Sequence, residues 1–173
     1  GLMLGESTRP GAEPGEVSEE KKRVIPIIEA IRKAHPKIAI SIDTRRPEVA
    51  KVAIEAGANL INDVSGLRDQ KMTEIVLSTG VGVCIMHMQG EPESMQDEPH
   101  YSETRTDVAN ELLHRAHNLI EAGHPPDRIC LDPGIGFGKR LEDNLNLLSD
   151  ADWIRGPHKL SVLWGVSRKS MFR

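Results

Sequence analysis

Short apolar runs alternate with helical patterns along nearly the whole chain, and this alternation restricts the fold more than any other feature. Ile38–Asp43 reads as a strand, and the stretch RPEVAKVAIEAG after it as a helix, with Pro47 suited to its first turn and Gly57 to its end. Asn59–Asp63 is the next strand, Met72–Gly80 a helix and Val81–Met88 a further strand. Val108, Leu112, Ala116, Leu119 and Ile120 then form one helical stripe that Gly123 ends. Arg128–Asp132, the helix LEDNLNLL and the strand Leu160–Gly165 complete the series. An earlier helix keeps Val24, Ile27, Ile28 and Ile31 at helical spacing with Pro26 among them, which predicts a kink or a restart near Arg23. Gln89–Ser102 is polar, contains proline and has no period, so it reads as a long loop after a strand.

Strict strand–helix alternation calls for a parallel sheet with helical crossovers, either doubly wound or closed into a β/α barrel. The polar residues favour the barrel. Asp43, Asn62, His87 and Asp132 end successive strands, and Arg168 and Lys169 follow the last. Barrel strand ends converge on one face, whereas in an open sheet only those near a switch point share a ligand. The series amounts to five strands and a strand tail at Gly1–Leu4, where a complete barrel has eight strands in roughly 250 residues. The fold expected is therefore a TIM-type (β/α)8 barrel with about strands 2 to 7 present. Residues 1–173 would form one domain, truncated at both ends and open between its first and last strands. A net charge of −4 and a pI near 6.0 give no bias toward nucleic acid or an anionic membrane surface. No apolar run approaches the roughly 20 residues of a membrane span. Cys84 and Cys130 lack metal-site spacing and read as buried free thiols of a reducing compartment, with the cytoplasm as the default.

Leu131–Lys139, LDPGIGFGK, sets three alternating glycines, a phenylalanine and a closing lysine after an apolar strand. It fails the nucleotide phosphate-loop pattern, because Pro133 stands at the first glycine position and Arg140 at the hydroxyl position. It also fails the dinucleotide pattern, because Lys139 occupies the third glycine. Alone it could be a turn. It stands in order with GESTRPG (5–11), SIDTRRPEVA leading to AGANLINDVSG (41–66) and GVSRKS (165–170). Together these stretches, with MHMQGEPESMQ after the middle strand, resemble dihydropteroate synthase, the folate-pathway enzyme that joins a dihydropterin to p-aminobenzoate. The chain departs from that family at GLML and at Trp164. It also lacks the family's first-strand N-V-T-P-D-S-F loop and last-strand R-x-H motif.

The resemblance implies a transferase, a sulfonamide target, acting on pterin diphosphate and p-aminobenzoate without nucleic acid or membrane, and a homodimer at full length. It implies Mg2+ as well, with the protein ligand in the absent first-strand loop and no metal ligand in this chain. Asp132 matches the carboxylate that takes the pterin's adjacent N–H donors, a bidentate charge-assisted contact. Asn62 matches the amide at the neighbouring ring edge, Asp43 the group facing N8, and Lys169 the group reaching the ring oxygen and N5. Asp43, Asp132 and Lys169 are the catalytic candidates, the two carboxylates placed to stabilise positive charge developing on the pterin. Thr8 and Arg9 match the diphosphate or p-aminobenzoate loop. Pro10, Phe137 and the Lys169 stem would flank the benzene ring, with Gly136 and Met86 in the pocket wall. Ser167 and Ser170, at the start of a last helix, suit the benzoate carboxylate. Simpler roles stay open: Asp43 and Asp132 as helix caps, Asn62 in a turn, Thr8 and Arg9 in a solvated loop, Met86 in the core, His87 as a strand-end histidine bonded to a loop. A pterin-binding methyltransferase of the methyltetrahydrofolate/corrinoid type and a non-catalytic pterin-binding paralogue are the competing functions.

Overall fold

A computed structural model of the chain describes residues 2–5, for backbone alone, and 17–89, 100–148, 152–167 and 169. Six parallel strands form one sheet in sequence order: β1 (Leu2–Gly5), β2 (Ile40–Asp43), β3 (Leu60–Asp63), β4 (Gly82–Met86), β5 (Ile129–Asp132) and β6 (Ser161–Val162). Helices α1 (Val17–Ala34), α2 (Pro47–Ala56), α3 (Gln70–Thr79), α4 (Thr104–Glu121) and α5 (Leu141–Leu148) make the crossovers. Among the described residues strand order never reverses, and they hold no switch point of the doubly wound kind. The sheet is an arc of a β/α barrel, and the strand tail read at Gly1–Leu4 is its first strand.

Side chains alternate across the strands. Ile40, Ile42, Ile61, Val83, Ile85, Ile129 and Leu131 are buried beneath the helices in one cluster with Val24, Ile28, Val49, Met72, Val76, Leu112 and Leu119. The opposite, inner face carries Ser41, Asp43, Asn62, Cys84, Met86, Cys130 and Asp132. This split gives the outer face to packing and leaves the polar residues the interior.

Local signals account for most boundaries. Pro47 opens α2, and Gly57 closes it in the left-handed conformation at φ 115°. Asp69 caps α3 by accepting the Lys71 N–H at 2.9 Å. The start of α4 comes before its apolar stripe, because the Glu103 carboxylate accepts the Thr106 N–H at 2.7 Å. Two expectations are corrected. Helix α1 runs from Val17 to Ala34 without a restart at Arg23. Pro26 lies on its exposed side, so the carbonyl deprived of a partner faces water while Val24 and Ile28 remain buried. The strand expected over Leu160–Gly165 pairs only at Ser161–Val162. After Leu163 donates to the Leu131 carbonyl at 2.9 Å the chain leaves the sheet, and Trp164 and Val166 pack on the core instead.

Candidate active site

Strand register assembles the polar residues. Asp43 and Asn62 are direct partners on β2 and β3, and Met86 and Asp132 on β4 and β5, all at carboxyl ends. Asp43 is half-buried, while Asn62, Met86 and Asp132 are buried. Neither carboxylate is a helix cap: the residue capping α2 is Arg46, and Asp132 serves the loop after β5. The Asn62 Oδ1 atom is buried without a hydrogen-bond partner. Such an oxygen costs about 1–3 kcal/mol until a donor reaches it. It is an acceptor without a partner, beside Asp43 across the β2–β3 pair.

Asp132 Oδ1 accepts the Gly134 N–H at 2.7 Å. Oδ2 lies on the side of Gly165, where an added Cβ would stand 3.7 Å away, at ordinary van der Waals distance. Burial pushes the Asp132 carboxyl up to about 6, and the Gly134 N–H, Lys139 and Lys169 restrain the rise. A ligand that brings two N–H donors would reverse the effect of burial and hold the group ionised.

The glycine-rich loop needs its glycines. Gly134, Gly136 and Gly138 have φ of 67°, 78° and 57°. A Cβ at Gly134 would strike the His87 carbonyl oxygen, and one at Gly136 would meet the Lys169 Cδ at 3.1 Å. Phe137 donates its N–H to the Gly134 carbonyl at 3.0 Å, and Gly136 donates to Asn144 Oδ1 at 2.7 Å. The Phe137 ring is half-buried against Val64, Met86 and Met88, so Met86 serves both the pocket wall and a small apolar cluster. The Lys169 ammonium lies 3.9 Å from the Phe137 ring centroid, a cation–π contact. Burial lowers the Lys169 pKa, and Asp132 opposes that shift.

Asp43, Asn62, Met86, Asp132, Gly136, Phe137 and Lys169 thus stand on neighbouring strand ends and the loops that follow them. Ser167 is exposed in a turn beyond β6. Thr8, Arg9, Pro10 and Ser170 lie outside the described residues. Three polar residues given no site role by the sequence belong to the same region. Lys139 is 4% exposed and His87 3%, and they join at 3.0 Å through His87 Nδ1. The His87 Nε2 lies 3.2 Å from Glu111 Oε2 on α4. The traces of this group in the sequence were the lysine that closes the glycine run and His87 at a strand end, bonded to a loop as its simpler reading had it; Glu111 left none. Among the described residues, no three His, Cys, Asp or Glu side chains gather where they could hold a metal ion.

Two carboxylates, a buried amide oxygen without a partner and a lysine over an aromatic ring thus gather at the carboxyl ends of the barrel strands and the loops that follow them. The family described as pterin binding enzyme matches residues 3–173, and the chain belongs to that family. Within it, the dihydropteroate synthase of Escherichia coli (strain K12) is 41% identical over 167 residues, covering 96% of this chain and 58% of that protein. Yersinia pestis dihydropteroate synthase, solved with a sulfonamide drug complex, superposes with a TM-score of 0.90 at 40% identity, over 96% of this chain and 60% of that one. The Burkholderia cenocepacia dihydropteroate synthase complexed with 7,8-dihydropteroate gives a TM-score of 0.84 at 44% identity, over 98% and 63%. The chain therefore spans less than two thirds of the length of these relatives.

Proposed function

We propose that the intact protein is a dihydropteroate synthase, which condenses 6-hydroxymethyl-7,8-dihydropterin diphosphate with p-aminobenzoate and releases diphosphate. The observation that carries this reading is Asp132: a buried carboxylate at the end of β5 with one oxygen held by the Gly134 N–H and the other on the side of Gly165. Asp132 would accept the paired N–H donors of the pterin, and the vacant Asn62 oxygen a further one. As the methylene–oxygen bond to diphosphate breaks, positive charge spreads into the ring, and anionic Asp43 and Asp132 stabilise it. Lys169, whose ammonium lies 3.9 Å from the Phe137 ring centroid, would reach the ring oxygen and N5. The arylamine is neutral near pH 7, so its nitrogen attacks the methylene without a strong general base and loses its proton afterwards.

Phe137 facing Lys169 favours the synthase over a methyltransferase, because that pair forms a wall for an aryl ring beside the pterin floor. Thr8, Arg9, Pro10, Ser167 and Ser170 keep the roles implied by the resemblance. The cytoplasm is the compartment proposed, supported by two free cysteines, and among the described residues no helix is long and apolar enough to cross a membrane. A homodimer is the assembly proposed. The test is turnover by the intact protein given both substrates, followed as dihydropteroate by mass spectrometry and as diphosphate release. Formation of both products in equal amounts supports the proposal. Pterin binding with no dihydropteroate formed sinks it in favour of the non-catalytic paralogue.

A further inference from the structure

Lys139 has no part in the chemistry above, yet its ammonium is placed with unusual economy. It lies 2.9 Å from the Phe137 carbonyl and 3.1 Å from the Gly134 carbonyl, both in the glycine-rich loop. Across a gap it meets His87 Nδ1 at 3.0 Å and the His87 carbonyl at 3.3 Å, just beyond β4. An ammonium has three donors and no acceptor, so it can join two backbone segments that each offer only acceptors. The other side of His87 settles the proton arrangement. Glu111, brought down to about 2 chiefly by its His87 bond, is ionised and takes the Nε2–H. Nδ1 is then the acceptor, and burial favours this neutral imidazole. Arg115 completes the chain by pairing with Glu111 and donating to the Ser65 and Gly66 carbonyls.

Asp132, Asn144 and Tyr101 also hold the loop, through the Gly134 N–H, the Gly136 N–H and the Gly138 carbonyl, but Lys139 is the side chain that joins it to His87 at the end of β4. Three of its residues sit at positive φ, and its internal bond is the single Phe137–Gly134 contact. Placing a lysine there is costly. Burial brings it down to about 7, with Asp132, Glu111 and Asp143 supporting the charge and Lys169 opposing it. A side chain of similar length without charge would fill the volume at less cost, so the filling of space does not explain an ammonium.

We propose that Lys139 is a positioning residue for the second substrate: through His87 it ties the Gly134–Phe137 turn to the end of β4, and so sets where the Phe137 ring stands for the arylamine. This rests on the synthase reading. The test is steady-state kinetics of the intact enzyme with Lys139→Met, which keeps the stem and removes the donors. The expected result is a KM for p-aminobenzoate raised at least about tenfold, with kcat and the Kd for pterin diphosphate within about threefold. Because Lys139→Met can fail to fold, His87 gives a second arm. His87→Asn keeps an acceptor near Nδ1 and should hold the wild-type KM, whereas His87→Leu removes the acceptor and should raise it. An unchanged p-aminobenzoate KM in Lys139→Met, or equal effects of His87→Asn and His87→Leu, overturns the inference. So does equal damage to pterin binding and p-aminobenzoate use. Wild-type protein without turnover overturns the synthase reading and this inference together, whereas wild-type turnover with an unaltered variant KM overturns this inference alone.

Discussion

Asp132→Asn should make the ligand-free protein more stable and a worse pterin binder, and the two effects can be measured separately. In the folded chain burial lifts the carboxyl from 3.8 to about 6. At 1.36 kcal/mol per pKa unit, holding it ionised above that range costs about 3 kcal/mol relative to the unfolded chain. The sign follows from proton uptake. Between the unfolded and folded pKa values the folded state binds more protons, so this contribution weakens stability as pH rises from about 4 to 6 and is constant above. Asparagine keeps an oxygen for the Gly134 N–H and removes the charge, so the variant should gain about 1–3 kcal/mol at pH 7.5 and almost nothing near pH 4. The same change turns one acceptor oxygen into a donor facing the pterin's own donors. Pterin diphosphate binding should weaken by about 2–4 kcal/mol, the scale for breaking a buried charged hydrogen bond. Urea denaturation at the two pH values, with calorimetric titration at pH 7.5, reads both quantities. A variant destabilised at pH 7.5 would refute the claim that the charge is held at a cost. A change in pterin Kd below about threefold would refute the anchoring role.

Phe137→Leu should raise the KM for p-aminobenzoate and weaken sulfonamide inhibition by roughly 0.5–1.5 kcal/mol, the worth of an aromatic contact, and leave pterin affinity alone; equal damage to both substrates, read by varying each in turn, would make the loop a pterin clamp. Gly134→Ala should cost at least about 2–4 kcal/mol in a denaturation midpoint, because the new methyl meets the His87 carbonyl at a backbone conformation that suits glycine. Stability matching wild type would contradict the loop geometry. Arg32 donates to the Pro36, Ile38 and Gly57 carbonyls and to Asn59 Oδ1 at 2.6–2.8 Å, beyond the amino ends of β2 and β3 and away from the site. Arg32→Met should therefore lower stability by about 1–3 kcal/mol with both KM values unchanged, and a shifted KM would show that the two ends of the barrel are coupled.

The strand–helix series could be read from the sequence because proline, glycine and apolar period agree at the same places, as at Pro47, Gly57 and the Val108–Ile120 stripe. It misled where a local rule met a tertiary circumstance. Pro26 breaks helices in general, but here its lost bond faces water. LSVLWG has the composition of a strand, yet beyond Val162 its apolar residues serve the core. Asp43, Asn62 and Asp132 were legible because each ends an apolar run, and strand ends are where barrel sites form. The grouping of Lys139, His87 and Glu111 was not, because they are 24 to 52 residues apart and only adjacent strands and α4 bring them into contact. His87 was legible as a strand-end histidine bonded to a loop, but nothing local to it names Lys139 or Glu111 as its partners.

The central claim is that the carboxyl ends of β2, β3 and β5 form the floor for the pterin. A crystal structure of the intact protein with a bound pterin tests it most directly. Both Asp132 oxygens should lie within about 3.0 Å of adjacent pterin N–H nitrogens, with the Asn62 oxygen on a ring donor and Phe137 outside the floor against the exocyclic end. A pterin seated elsewhere, or one whose donors face water while Asp132 keeps only its Gly134 contact, would contradict it.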